Sequence, residues 1–241
     1  MERVSLQAEL VHDTVAKLLL RMNDRFPGSG LSRICERLLD VSQATGATVR
    51  RISKPIYAIK GLAILAVAGL VAVVGYVLCS SGSIANPSLA EVITTADSAV
   101  NIFILLAAAF LFLWSLELRI RRGRVIAAVR ALRDLAHVID MHQLTKDPDG
   151  IAQVSHPTKN SPARNLSAFE LGRYLNYCSE MLSLISKLGY LYVERFDDPV
   201  AAEAANDLED QTTGLSRKIW QKIMILRSGM VARDDRAAGG A

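Results

Sequence analysis

Gly61-LAILAVAGLVAVVGYVL-Cys79 is a run of nineteen residues without a single charge, and no Lys, Arg, Asp or Glu occurs before Glu91. A second block, Ala99-VNIFILLAAAFLFLWS-Leu116, spans eighteen residues and carries one amide, Asn101. At about 1.5 Å per residue each block is roughly 27 Å long as a helix, the thickness of a bilayer's hydrocarbon core. A buried helix of a soluble domain normally keeps a polar stripe. Two uncharged blocks in one chain therefore predict two membrane spans.

The flanks orient them. Arg50, Arg51, Lys54 and Lys60 precede the first block, and Arg119, Arg121, Arg122 and Arg124 follow the second. The connecting stretch 80–98 has Glu91 and Asp97 and no basic residue. The excess of Lys and Arg on one side predicts a hairpin with both termini in the cytoplasm, in a plasma or bacterial inner membrane. Tyr57 and Trp114 fall at the predicted inner interface and Tyr76 at the outer one.

Composition agrees. Of 241 residues 51% are hydrophobic and 22% charged, so the apolar excess is concentrated rather than spread. Residues 1–60 carry ten basic and six acidic groups, 119–165 nine and four, and 166–241 nine and eleven. The formal net charge of +4 is thus a matter of basic membrane flanks. It offers no nucleic-acid signature, and no nucleic-acid partner is expected. Cys35, Cys79 and Cys178 have no CxxC spacing; Cys35 and Cys178 fall in segments expected to be reduced, and Cys79 at the outer end of the first span. The first twenty residues contain Glu2, Arg3, Glu9, Asp13 and Lys17, which excludes a signal-peptide apolar core there.

Outside the spans the chain reads as amphipathic helix. Val4, Ala8, Val11, Val15, Leu18 and Met22 step by four and three until Pro27-Gly-Ser-Gly30. Ile34, Leu38 and Val41 mark a second helix that Pro55 interrupts. After the second span, Ile126, Val129, Leu132, Leu135 and Ile139 predict that the membrane helix continues into the cytoplasm. Three prolines and a Pro148-Asp-Gly turn make 146–165 a linker. Ser167 and Glu170 then form a capping box, with Leu166 and Leu171 at the staple positions. Two seams follow, Leu171–Leu175–Cys178–Leu182–Ile185–Gly189–Tyr192–Phe196 and Tyr174–Tyr177–Met181–Leu184–Leu188–Leu191. Together they are too wide for a two-stranded coil and suit a bundle. Asp198 and Pro199 open the last helix, whose inward set is Leu208, Leu215, Ile219, Ile223 and Leu226.

The expected fold is all-α: a two-span transmembrane hairpin with amphipathic cytoplasmic helices forming a bundle. The expected division is N-terminal helices over 1–55 and the hairpin over 56–118, with spans at about 61–79 and 99–116. A juxtamembrane helix over 119–145, a linker over 146–165, a C-terminal helical hairpin over 166–230 and a flexible tail over 231–241 complete it.

Few residues point to chemistry. Gly61, Ala68, Ala72 and Gly75 draw a stripe of small side chains down the first span, read as a packing seam for the second span, or else between copies of the chain. His137, Asp140 and His142, with His156 beyond, are the one polar cluster. His137 and Asp140 sit about 60° apart on a helix, but His142 is about 140° from His137, so the set does not converge as a metal site requires. No metal, cofactor or catalytic residue is expected; the alternative is a metal-dependent enzyme using His137, Asp140 and His142, which requires the helix to end near Asp140 or another segment to supply ligands. Arg217-KIWQKIMIL-Arg227 reads as the inward face of the hairpin, with a surface-lying basic amphipathic segment as the alternative. These features predict a non-enzymatic membrane scaffold that meets itself or a protein partner through its C-terminal helices. The alternative is an oligomeric, pore-forming effector.

Overall fold

The computed structural model describes residues 6–80, 89–148, 159 and 166–239, with side chains described except at 73, 74, 77–80 and 232–239. Among the described residues it is all-α. Its helices are α1 (Ala8–Arg25), α2 (Gly30–Ser53), α3 (Tyr57–Ser80), α4 (Leu89–Leu144), α5 (Ala168–Val193) and α6 (Pro199–Gly239). They fall into two compact units, residues 54–123 and residues 1–53 with 124–241.

The first unit holds α3 and the first part of α4. Two helical stretches, Gly30–Ala72, which takes in most of α3, and Leu89–Leu144, which is α4, are long and apolar enough to cross a membrane, the most apolar windows having mean hydropathies of 1.9 and 2.4 with 6% and 0% buried. Leu65 and Phe103 stand exposed, which an aqueous surface penalises and hydrocarbon does not. Two expectations need correction here. The second span's helix begins at Leu89, inside the stretch read as loop. Thr94, Thr95 and Ser98 return their hydroxyls to the carbonyls of Ala90, Glu91 and Thr94 at 2.9, 2.8 and 2.9 Å. Their polar groups are thereby satisfied within the helix. The small-residue stripe is also not the face that meets α4. Ala63, Ala66, Val67 and Leu70 line the space facing Leu105, Leu106, Ala109, Phe110 and Leu113 of α4. Gly61, Ala68, Ala72 and Gly75 lie about 180° around α3 from that face. A Cβ on Gly61 or Gly75 would meet nothing within 4 Å among the described residues.

At the base of this hairpin Glu117 accepts the Ile56 N–H at 3.1 Å, satisfying a donor ahead of α3 that no intrahelical carbonyl can reach. Lys60 Nζ lies 3.7 Å and Arg121 3.8 Å from the same carboxylate. Lys60 also stands 5.9 Å over the Trp114 ring.

The second unit is a bundle built around α5. Thirteen α5 residues are buried, and with Phe196 just beyond the helix they include every member of both seams. α5 packs against α6, α2 and α1, and α1 against α2. The last part of α4 joins the same core through Val125, Val129, Leu132, Ala136 and Ile139. That face differs from the expected one, since Ile126 and Leu135 are only half-buried. The steps of four, three, four and three through Ala136 hold a straight line along the helix where three successive threes drift off it.

Local signals behave as their chemistry dictates. Ser167 and Glu170 form the reciprocal capping box on α5. Asp198 Oδ1 accepts the Ala201 N–H at 2.9 Å and caps α6 ahead of Pro199. Gly28 turns the chain between α1 and α2 with φ of 66°, a left-handed conformation that favours glycine. α6 continues as helix to Gly239, through Ala232-RDDRA-Ala238, where a flexible tail was expected. That stretch has no proline or glycine before Gly239, so nothing in it breaks the backbone ladder. His156 and most of the 146–165 linker lie outside the described residues, as does the side chain of Cys79.

Candidate functional site

The polar groups that sequence places near the end of α4 are spread among three neighbourhoods. His137 faces α6, where the Gln211 amide nitrogen lies 3.0 Å from its Nε2. Asp140 turns inward and accepts from Gln143 Nε2 at 2.6 Å. His142 donates from Nδ1 to the Val138 carbonyl at 3.0 Å, which leaves Nε2 as its acceptor. That nitrogen lies 2.8 Å from where a Cβ on Gly30 would stand, so a side chain at position 30 would displace the ring.

Residues that composition and spacing did not single out complete this end of the bundle. Lys222 of α6 donates from Nζ to the Gln143 carbonyl at 2.8 Å. The same carbonyl also accepts the Lys146 N–H at 3.1 Å, so the lysine adds a second, charged donor at the end of α4. Burial lowers the lysine from its ordinary value, against the pull of Asp147, Asp140 and the Cys178 thiol. Burial likewise pushes the Cys178 thiol up to about 12, Lys222 opposing, and Cys35 rises to about 12 for the same reason. Both thiols stay protonated and unreactive at neutral pH. Only a contact across some eighty residues could have revealed Lys222, and no local pattern encodes it.

Beside this cluster opens a cleft of about 490 Å³, within the range of small-ligand sites. Ser29, His142, Thr145 and Lys146 supply its polar groups, and Phe26 and Tyr174 its apolar wall. Lys146 lies 5.3 Å over the Tyr174 ring. The arrangement can hold a small polar molecule. Among the described residues no three or more His, Cys, Asp or Glu side chains are placed to hold a metal ion.

The segment around Trp220 divides by face. Ile219, Ile223 and Leu226 are buried, whereas Trp220, Met224 and Ile225 are about half exposed. Arg227 lies 5.9 Å over the Trp220 ring. The inward reading thus describes one face of this helix, and a mixed apolar and basic face remains outside.

These features define the chain as an all-α protein with a helical bundle and two membrane-capable helices. No protein-family model, no curated protein and no solved structure matches it.

Proposed function

We propose that this is a non-enzymatic protein of the plasma or bacterial inner membrane. In this reading α3 and α4 form a two-span hairpin, both termini are cytoplasmic, and the bundle serves as an interaction module. The observation that carries it is the pair of apolar helices whose most hydrophobic windows are 6% and 0% buried. The positive flanks at Arg50, Arg51, Lys54 and Lys60 and at Arg119, Arg121, Arg122 and Arg124 support the orientation. His137, Asp140 and His142 each have an internal partner, which favours structural over catalytic roles for them. Because α5 spends both of its seams inside its own bundle, a partner or second copy would meet the outer face of α6 at Trp220, Met224 and Ile225.

Carbonate extraction and flotation of the full chain test the anchor, and the chain should stay with membranes. Reporter fusions at residue 85 and at the C-terminus should report opposite sides. Release by carbonate, or both reporters on one side, would refute the reading. Cross-linking from Trp220→Cys in native membranes tests the interaction face. A chain that cross-links to nothing argues against a scaffold.

A second reading, an oligomeric pore, is favoured by one observation. The stripe Gly61, Ala68, Ala72 and Gly75 faces away from α4, and such stripes allow helices of neighbouring copies to approach closely. One hairpin encloses no lumen, so this reading requires a multimer. A strictly monomeric mass in detergent, or silence in planar bilayers, removes it.

A further inference from the structure

Where the last turn of α1 lies against the first half of α5, a cleft of about 500 Å³ is lined by Arg21, Asp24, Arg25, Arg173 and Tyr177. Three guanidinium groups in one cleft repel one another, so each needs something to hold it. Arg21 is paired with Glu180 at 2.6 Å. Arg173 lies 5.0 Å over the Tyr177 ring and Arg25 5.1 Å over Phe169. Neither of these two has a carboxylate within ion-pair distance among the described residues.

Stacking on an aromatic ring uses the face of a guanidinium group and leaves the N–H donors, which lie in its plane, free at the edge. Each ring contact restrains its guanidinium group, which reduces the side-chain entropy lost on binding. Moreover, Arg173 Nε is buried and has no hydrogen-bond partner among the described residues. A buried charged donor without a partner is costly, and an acceptor in the cleft would relieve it. The Tyr177 hydroxyl donates to the Arg21 carbonyl at 3.2 Å and pins the two helices that carry the arginines.

We propose that this cleft binds a phosphate oxyanion, held chiefly by Arg173 and Arg25. A tetrahedral phosphate presents oxygens to two forks from separate helices at once, whereas a planar carboxylate offers two oxygens to a single fork. Asp24 is the opposing group on the lining and weakens the site for a bare anion.

The test uses the full chain in a maltoside detergent, in phosphate-free buffer at fixed ionic strength, titrated calorimetrically with inorganic phosphate. Saturable uptake at one site per chain is expected. Arg173→Gln or Arg25→Gln should weaken it by about tenfold or more, the loss of a charge-assisted bidentate contact. Arg173→Lys should fall between, and Asp24→Asn should tighten binding severalfold. Lys218→Gln, a surface cation elsewhere, should leave it unchanged. Arg25 lies exposed on α1, so its variant keeps the test open if Arg173→Gln does not fold. Absence of saturable uptake, equal affinity in wild type and Arg25→Gln, or weaker binding in Asp24→Asn would overturn the site. Repeating the titration in phospholipid nanodiscs separates the sources. Uptake retained there assigns a soluble phosphate ester, and uptake lost on transfer from detergent assigns a lipid headgroup.

Discussion

Lys222 on α6 and the main-chain carbonyl of Gln143 on α4 are joined by a hydrogen bond of 2.8 Å. The ammonium group reinforces the end of α4 from another helix, at a carbonyl that the Lys146 N–H also reaches. Replacing it with Met, which keeps the stem, should cost about 1.5 kcal/mol, the lower range for a lost hydrogen bond from a charged group, because the carbonyl keeps the Lys146 N–H. Burial holds this lysine below its ordinary value of 10.5. The unfolded chain therefore binds more protons just below pH 10.5, and the lysine's contribution to stability rises with pH through that window. Thermal melts of wild type and Lys222→Met between pH 7 and 10.5 should show wild type gaining on the variant.

The capping box carries a second prediction. Ser167→Ala should destabilise the bundle by about 1 kcal/mol. Hydrogen bonds from the Ser167 backbone and side chain hold the Glu170 carboxyl below its ordinary value of 4.5. Its contribution is thus complete above pH 4.5 and is lost as pH falls through the lower folded value. The gap in melting temperature between wild type and Ser167→Ala should narrow as pH drops from 7 to 3.

Gly189 permits a close approach of α6, for an added Cβ would lie 2.7 Å from Leu208 Cδ2. Leu208 is fully buried and Leu132 Cδ1 lies 4.0 Å from the same point. Gly189→Ala should therefore cost about 1–3 kcal/mol through overpacking. Removing one methylene with Leu208→Val should restore part of that loss in the double variant, as read by chemical denaturation.

The face by which α3 meets α4 can be checked directly. With Cys79 replaced by Ser, cysteines at Ala66 and Ala109, which line one cavity, should cross-link within a chain. A cysteine at Ala72 paired with Ala109 should not. Electrophoretic mobility under oxidising conditions reads both, and Cys35 and Cys178, buried and raised to about 12, should not interfere.

Several elements were legible along the chain because their causes are local. The capping box of Ser167 and Glu170, the Asp198-Pro199 start of α6 and the long runs of α3 and α4 each depend on neighbours a few residues away. The faces chosen within those helices were less legible. Gly61, Ala68, Ala72 and Gly75 form a regular stripe, yet Ala63, Ala66, Val67 and Leu70 meet α4. In an all-apolar helix no hydrophobic contrast marks one side, so periodicity carries no information about orientation. The polar cluster was half legible for a related reason. His137, Asp140 and His142 stand out by composition, but their partners Gln211, Gln143 and Gly30 come from three different helices.

The sequence by itself determined that this chain is helical, that two of its helices suit lipid, and where most helices begin. Those outcomes follow from hydropathy, length and hydrogen bonds within a turn or two. Only the tertiary structure decided that α5 buries both of its seams within its own chain, and that Lys222 reaches the end of α4. It alone set Arg25 and Arg173 side by side, stacked on rings of α5. Packing decides these because each needs side chains far apart in sequence to share one small volume. Which of the available apolar faces fills that volume depends on all the helices at once.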